Sequence, residues 1–392
     1  MPAPPATAPV LTDGTVTLRA PAAADVPGML EAYRDPVVQR WTSLDPASGE
    51  REAHEWIAAS ARRWAGGRQF VWAVEAADGG RPRWAGSVDL RRDPVPSVGF
   101  LLAPWARGRG WASRALRLAA DWGFDVAGFA ALHWDARAGH VASWRVAHAC
   151  GFRFDGVRTL ALPAEGGLVD AWTAVLLPGT PVADREPATT WWPHPVLDGD
   201  GVRLRPPCAA DLPRHVESCN DPDARWWSAT LPVPYTDDDA RRWLRAQQLE
   251  PSLGAAVTWT VADPDDDRYL AVVTLFGTDR PYTPTGAEIG YRAHPDARGR
   301  GAVSAAVRRL VAHAFTPVAD GGMGRHRLQI GAAADNAASR RVAERAGFRL
   351  WGTPRGDGVH GFANEIVDDG VWYELLAGDP VPSPSGTVGG TP

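Results

Sequence analysis

The chain has 392 residues, of which 45% are hydrophobic and 22% charged, and its formal net charge is −5 at pH 7. This size allows two ordinary hydrophobic cores, while the charge argues against nucleic-acid binding. No apolar run approaches the length of a membrane-spanning helix, and the amino-terminal segment lacks a signal-peptide pattern. Three cysteines suggest neither a disulfide framework nor a metal site, and we expect them to be buried or semi-buried and structural. We therefore expect a cytoplasmic protein with no metal and no membrane or nucleic-acid partner.

The first half of the chain predicts alternating strands and helices. Asp25 is a candidate N-cap for a first helix that carries a proline in its first turn. Apolar residues then recur at helical spacing from Ala112 to Trp122, and a later helix ends at Gly151, a natural residue to follow a helix. The strand-like segments are residues 15–19, 70–75, 84–90, 97–102 and 131–135.

The second half repeats the first. Leu18 matches Leu204, Gly108 matches Gly299 and Gly151 matches Gly347, at offsets of 186, 191 and 196 residues. Offsets that grow by five twice are what small loop insertions produce. Asp211 repeats the candidate N-cap, and the corresponding strand-like segments are residues 202–205, 256–262, 269–276, 288–293 and 327–331.

A repeat of this length predicts two domains, each with its own core and a mixed α/β fold. We place them at residues 10–178 and 196–377. A proline-rich linker, residues 179–195, joins them, and residues 378–392 read as a disordered tail.

An Arg-Gly-Arg-Gly turn lies between a strand and a helix in each half of the chain, beginning at Arg107 and at Arg298. Glycine lets backbone N–H groups approach a phosphate, and the helix that follows adds the positive end of its dipole. A P-loop is excluded because no Gly-Lys-Ser/Thr sequence follows the turn. A dinucleotide-binding Rossmann loop fits poorly because the glycine spacing differs.

Further motifs make these turns more specific. Residues 336–339 (Asn-Ala-Ala-Ser) and 346–348 (Ala-Gly-Phe) follow the second turn, and Gly151-Phe152 follows the first. In this order, the motifs resemble the GCN5-related N-acetyltransferase (GNAT) family, and most closely the ribosomal-protein N-terminal acetyltransferases of the RimJ/RimL type. The resemblance covers both predicted domains. It implies that each has a mostly antiparallel, splayed central sheet flanked by helices.

The resemblance implies that acetyl-coenzyme A, or another acyl-coenzyme A, is the donor. Its pyrophosphate would lie on the turn and its pantetheine arm would pair with the preceding strand, while an acceptor amine attacks the thioester directly. The implied donor-binding residues of the first half are Arg107, Gly108, Arg109, Gly110, Trp111 and Ala112. Those of the second half are Arg298, Gly299, Arg300, Gly301, Ala302, Val303, Asn336 and Ser339.

The two copies differ where the chemistry would take place. Glu288 begins the strand before the second turn, where relatives place a general base, whereas the first copy has Ser97. The first copy also has His140 where the second has Asn336. A solvated carboxylate is the alternative role for Glu288, and helix capping is the alternative for Asn336 and His140. Val303, in place of Ala112, could crowd a phosphate. We expect the second copy to be the catalyst and the first to be diverged.

The acceptor is defined by resemblance only, as the N-terminal amine of a protein or peptide. A small-molecule or natural-product N-acyltransferase that uses a longer acyl group or an acyl carrier protein is one alternative. A non-catalytic acyl-coenzyme A-binding or scaffold protein is another. Six tryptophans could form acceptor-pocket walls or belong to the core: Trp41, Trp56, Trp64, Trp226, Trp227 and Trp243.

Overall fold

The computed structural model describes residues 5–164, 166–179, 181–228 and 230–380, and it divides between Thr189 and Thr190 into two compact units. Each unit contains an eight-stranded, mostly antiparallel sheet flanked by helices, which confirms the predicted fold class. The domain limits proposed from the sequence remain a prediction, and residues 381–392 of the predicted tail lie outside the described residues. Within the described ranges, no helix has both the length and the apolar character needed to cross a membrane.

The N-terminal unit has its sheet in the order β1-β2-β3-β4-β5-β6-β8-β7. Its strands are β1 (Leu11–Thr12), β2 (Val16–Arg19), β3 (Gln69–Asp78), β4 (Arg81–Arg91), β5 (Ser97–Leu102), β6 (Leu132–Arg137), β7 (Arg153–Ala164) and β8 (Gly167–Leu176). Its helices are α1 (Val26–Tyr33), α2 (Pro36–Trp41), α3 (Glu50–Ala65), α4 (Trp111–Asp125) and α5 (Val141–Ala149).

The C-terminal unit repeats this arrangement and adds a small hairpin. Its strands are β9 (Leu197–Gly199), β10 (Val202–Arg205), β11 (Ala256–Ala262), β12 (Tyr269–Phe276), β13 (Gly286–Ala293), β14 (Arg327–Ala333), β15 (Arg349–Gly352), β16 (Gly358–His360), β17 (Ile366–Asp368) and β18 (Gly370–Leu376). Its helices are α6 (Leu212–Asn220), α7 (Pro222–Trp227), α8 (Asp237–Leu253), α9 (Ala302–Phe315) and α10 (Ala337–Arg345). The main sheet has the order β15-β18-β14-β13-β12-β11-β10-β9, and β16 pairs only with β17.

Hydrophobic periodicity explains most of these elements, and the strand and helix segments predicted from it are confirmed. In the C-terminal unit, Val307, Leu310 and Val311 of α9 pack against the sheet in one continuous core. In the N-terminal unit, Trp64 packs edge-to-face against Phe70 and Trp72. Trp64 is therefore a core residue.

Asp25 and Asp211 occupy the N-cap positions of α1 and α6, as predicted, but neither side chain accepts a hydrogen bond from the helix that follows it. Each carboxylate instead binds groups outside the helix that follows it. Asp211 accepts hydrogen bonds from the N–H of Cys208 and the hydroxyl of Thr260, and it pairs with Arg205 at 2.8 Å. Asp25 makes the equivalent ion pair with Arg19 at 2.7 Å. These ion pairs connect β2 to the residues just before α1, and β10 to the residues just before α6.

The cysteines only partly follow the expectation that all three are buried or semi-buried. Cys150 and Cys219 are buried, but Cys208 is exposed, so the expectation is wrong for Cys208. Cys208 lies in the connection between β10 and α6, outside the sheet and its core.

One parallel strand pair in each sheet is unusually short. β13 and β14 pair only from Gly286–Arg327 to Glu288–Gln329, although both strands continue. β5 and β6 pair only at Ser97 and His133. Each sheet therefore splays open at the carboxyl ends of these strands, which is where each Arg-Gly-Arg-Gly turn begins.

The ion pair of Asp211 predicts a clear stability effect. The Asp211 side chain is 2% exposed and that of Arg205 is 11% exposed. Asp211→Asn should therefore lower the free energy of unfolding of the C-terminal unit by about 3 kcal/mol, since it leaves a poorly solvated guanidinium short of its partner. Asp238→Asn removes a pair whose carboxylate is 76% exposed, and it should cost under about 1 kcal/mol. Urea denaturation at pH 7 measures both, and equal losses would contradict the prediction.

The stability difference between wild type and Asp211→Asn should also depend on pH. Burial opposes ionisation of Asp211, but Arg205 and two hydrogen-bond donors outweigh it and hold the pKa of this carboxyl below its ordinary value. A depressed folded-state pKa stabilises the fold above the unfolded value, near pH 4, and this contribution is lost as pH falls through the folded value. The stability gap between wild type and Asp211→Asn should therefore narrow below about pH 4.

Candidate active site

A cavity of about 640 Å³ occupies the splay of the C-terminal sheet. Its walls come from β13, β14, the start of α9, the first turns of α10 and the end of α7. On the β14 side of β13, the backbone beyond Glu288 has no strand partner. The cavity is therefore bordered by free main-chain donors and acceptors, which a ligand with amide groups can satisfy.

The Arg-Gly-Arg-Gly turn closes one end of this cavity. Gly299 and Gly301 have φ of 75° and 82°, in the left-handed region that favours glycine. An added Cβ at either position would meet no atom within 4 Å, so backbone conformation rather than space demands glycine. Among the described residues, the amides from Gly299 to Val303 donate to no carbonyl. Free amides of this kind, at the positive end of α9, can donate hydrogen bonds to an anion.

The two arginines of this turn have different partners. Arg298 pairs with Asp221 and, at 3.0 Å, with Asp223, so its guanidinium holds the turn against the start of α7. Arg300 is exposed and makes no hydrogen bond or ion pair within the described ranges. Of the two, Arg300 has the guanidinium that is available to an anion.

The N-terminal turn repeats this division. Gly108 and Gly110 have φ of 74° and 73°, Arg107 pairs with Asp35 at 2.6 Å, and Arg109 is exposed. The guanidinium of Arg109 lies 4.9 Å from the ring centroid of Trp111, the first residue of α4. Trp111 and Ala112 are both buried. The turn itself is therefore the same in both units.

Glu288 lines the opposite part of the cavity, and its side chain is only 16% exposed. Burial raises the pKa of its carboxyl, and the nearby carboxylate of Asp357 adds to the rise. Arg280, 3.1 Å away, opposes the rise without cancelling it. A carboxylate with a raised pKa and access to a cavity is suited to accept a proton near neutral pH.

Asp357 also lines this cavity and was missed in the sequence. Its carboxylate accepts a hydrogen bond of 2.6 Å from the indole N–H of Trp372 in β18. It lies in the segment before the β16–β17 hairpin, which has no motif. No local pattern could have identified it.

Asn336 and Ser339 both line the cavity beside β14. The Asn336 side-chain oxygen accepts from the N–H of Ser339 at 3.0 Å, so Asn336 is the N-cap of α10. Its amide nitrogen makes no hydrogen bond among the described residues. Tyr291 reaches across the splay, where its hydroxyl lies 2.8 Å from that of Ser339. Val303 lines the cavity but also packs against the core.

His140 occupies the position of Asn336 in the N-terminal unit and also caps a helix. Its Nδ1 accepts from the N–H of Ser143 at 3.1 Å, at the start of α5. Burial and, to a smaller extent, neighbouring arginines together lower the pKa of His140 to about 4. The imidazole is therefore neutral at pH 7. Ser97 occupies the position of Glu288, so no carboxylate stands there.

The remaining candidate tryptophans take several roles. Trp227 lines the cavity and lies 4.8 Å from the ring of His360, while Trp226 packs on Phe362 at 5.2 Å. These contacts connect α7 to the β16–β17 hairpin. Trp243 stacks on His215 at 3.8 Å. Trp56 packs against the core of the N-terminal unit, and Trp41 lies 4.2 Å from the ring of His140.

Within the part of the chain that the structure describes, no three His, Cys, Asp or Glu side chains are grouped to hold a metal ion.

Comparison with known proteins identifies the family. The sequence matches the family described as "Acetyltransferase (GNAT) domain" over residues 15–153 and again over residues 202–349. The chain therefore belongs to the GNAT acetyltransferase family and has two copies of its domain, which confirms the resemblance and the enzyme class predicted from the sequence.

Two curated relatives are both from Bacillus subtilis strain 168. The putative ribosomal N-acetyltransferase YdaF is 39% identical over 90 residues, which are 23% of this chain and 45% of the relative. The match thus spans less than half of that protein. The probable N-acetyltransferase YjcK is 29% identical over 145 residues, which are 36% of this chain and 72% of the relative.

Solved structures of similar fold include RimL, the ribosomal L7/L12 alpha-N-protein acetyltransferase, in complex with coenzyme A. It is 20% identical, with a TM-score of 0.39, and the match covers 46% of this chain and 98% of that one. RimJ of Mycobacterium smegmatis is also 20% identical, with a TM-score of 0.40, over 48% of this chain and 90% of that one.

The geometry of the turn predicts a specific backbone cost. Gly301→Ala should destabilise the C-terminal unit by about 1–2 kcal/mol, because a Cβ strains the left-handed conformation although it meets no neighbour. Gly352→Ala is the matched control, since Gly352 also has free space around it but lies outside the left-handed region. Urea denaturation compares the two variants. Equal stability of Gly301→Ala and wild type would contradict the strain.

Proposed function

We propose that the C-terminal unit transfers an acetyl group from acetyl-coenzyme A to a primary amine, and that this amine is the N-terminus of a peptide or protein. The observation that carries the proposal is the cavity in the splay of the sheet. It has the glycine turn with its free amides at one end and a largely buried carboxylate, Glu288, which is 16% exposed, in its opposite part.

The donor we propose lies along β13. Its pyrophosphate would accept hydrogen bonds from the amides of residues 299–303, with the exposed guanidinium of Arg300 nearby. Its pantetheine amides would pair with the free edge of β13. The unbonded amide nitrogen of Asn336 offers a further donor to the same arm. Arg298 would act by holding the turn in place, because its guanidinium is already paired.

The reaction we propose needs one proton acceptor. Glu288 takes a proton from the acceptor ammonium, directly or through one water molecule, and the free amine attacks the thioester carbonyl. A carbon–nitrogen bond forms, the carbon–sulfur bond breaks, and the coenzyme A thiolate leaves. The second proton of the attacking nitrogen passes to this thiolate, so the products are the amide and the coenzyme A thiol. A thiol has a pKa of about 8.5, so this leaving group needs little help from an acid.

The acceptor end combines negative charge with apolar surface. Glu288 and Asp357 line the cavity and attract an ammonium group, while Trp227 and Val359 offer an apolar wall. A peptide N-terminus has both features. The name of the curated relative YdaF, a putative ribosomal N-acetyltransferase, agrees with a protein acceptor. The compared proteins are named as acetyltransferases, which favours acetyl over a longer acyl group and gives no support to a carrier-protein donor.

The role of Glu288 predicts a loss of turnover. Glu288→Gln should lower kcat by about 100-fold or more, because the amide cannot accept a proton. Glu250→Gln is the matched control, since burial also raises the pKa of Glu250 but this residue does not line the cavity. Thiol release with acetyl-coenzyme A and a peptide measures both variants. Equal turnover of the two variants would show that Glu288 is not the base.

The pH profile provides a second readout for Glu288. Because the pKa of its carboxyl is raised, kcat/KM of the wild type should fall on the acid side with an apparent pKa above the ordinary value of about 4.3. Below that pKa the carboxyl is protonated and cannot act as a base. In Glu288→Gln this acid limb should disappear, while in Glu250→Gln it should remain.

A peptide panel tests the acceptor. We expect one acetyl group on a peptide with a free N-terminus and none on the same peptide with a blocked N-terminus and an internal lysine. Intact-mass analysis reads the result, and the enzyme itself has no lysine to become modified. Modification of only the blocked, lysine-containing peptide would contradict an N-terminal acceptor.

A further inference from the structure

We infer that the chain binds one coenzyme A thioester, in the C-terminal unit only, because contacts of Trp41, Arg137 and His140 close the matching cleft of the N-terminal unit. This inference rests on the coenzyme A donor of the proposed function. It assigns donor binding to one of two units whose Arg-Gly-Arg-Gly turns have the same conformation.

The internal repeat shows which positions to compare. At an offset of 186 residues Trp41 matches Trp227, and at 196 residues Arg137 matches Ala333 and His140 matches Asn336. In the C-terminal unit, Trp227, Ala333 and Asn336 all line the cavity. Trp227 ends α7, whereas the other two lie at the end of β14 and the start of α10. They therefore mark two separate walls of one cavity.

The corresponding walls of the N-terminal unit touch each other. The rings of Trp41 and His140 lie 4.2 Å apart. Arg137 donates to the carbonyl of Arg40 at 2.7 Å and to that of Thr42 at 3.4 Å, at the end of α2. It also donates to the carbonyl of Pro163 in β7 at 2.8 Å. The Arg137 guanidinium thus connects the end of α2 to the end of β6. The contact between Trp41 and His140 connects the end of α2 to the start of α5.

The matching residues of the C-terminal unit cannot form either connection. Ala333 has no polar group to reach the end of α7, and Asn336 has no ring to stack on Trp227. Trp227 instead contacts His360 in β16, and the N–H of Gly361 donates to the carbonyl of Trp226 at 2.9 Å. The hairpin of β16 and β17 therefore holds the end of α7. In the N-terminal unit this part of the chain belongs to the long β7–β8 pair.

The closure also explains the environment of His140. Its imidazole is partly buried, and this burial together with Arg137, Arg107 and Arg40 disfavours its protonated form. A neutral ring can pack against Trp41 and cap α5 at the same time. The charged groups that act on this ring include three arginines.

Counting bound donors tests the inference. Native mass spectrometry of the full chain with acetyl-coenzyme A should show one molecule per chain. Arg300→Glu, a change at an exposed and unpaired side chain, should weaken binding on the order of tenfold, because it places a negative charge beside the phosphates. The matched change Arg109→Glu in the N-terminal unit should leave the affinity unchanged.

Three outcomes would contradict either the inference or the proposed function. Two molecules bound to the wild type, or weaker binding by Arg109→Glu but not by Arg300→Glu, would overturn the inference. Absence of any binding would overturn the proposed function and remove the basis of the inference with it.

A residue exchange tests the closing contacts themselves. Arg137→Ala with His140→Asn gives the N-terminal unit the residues of the C-terminal one, and Asn can still accept from the N–H of Ser143. Binding should rise from one to two molecules per chain. Arg83→Ala, which removes exposed ion pairs elsewhere in the same unit, should leave it at one. Thermal unfolding confirms that each variant is folded. A folded exchange variant that still binds one molecule would overturn the role of these contacts.

Discussion

The short pairing of β13 with β14 is the constraint on which the site depends. Both strands continue past Glu288 and Gln329, but their backbones no longer reach each other. Main-chain groups inside a sheet are normally paired, since an unpaired buried group is costly. A splay of this kind persists where water or a ligand completes the hydrogen bonds. The cavity, the position of the glycine turn and the placement of Glu288 all follow from where the pairing stops.

The two copies of the domain share the short parallel strand pairing but differ in the residues that surround it. Both sheets splay at the same position, and both turns use two left-handed glycines with the first arginine held by an aspartate. The differences lie in the walls. A histidine and an arginine fasten one cleft, whereas an asparagine and an alanine line the other. The glycine turn is thus more uniform between the two GNAT domains of this chain than the walls of the cleft.

The sequence predicted features that depend on local geometry. Helical and strand periodicity placed the elements, and glycine requirements placed the turns, because each arises from neighbours in the chain. Asp25 and Asp211 were placed correctly at the starts of their helices, but the sequence did not show that their carboxylates bind Arg19 and Arg205 instead of capping the helix. Asp357 was missed because its position beside the cavity depends on a tertiary fold-back. Trp41 and Trp64 are both tryptophans in helices, so their sequence context does not distinguish them. Tertiary packing places Trp41 against His140 in the cleft and Trp64 against Phe70 in the core.

Amide hydrogen exchange of the full chain, with and without acetyl-coenzyme A, tests most directly whether the splay of the C-terminal sheet is the donor site. We predict slower exchange of residues 289–293 and 299–304, whose amides would bond to the bound donor, and no change at residues 98–102 and 108–113. Slower exchange at residues 108–113 without any change at residues 299–304 would contradict the account.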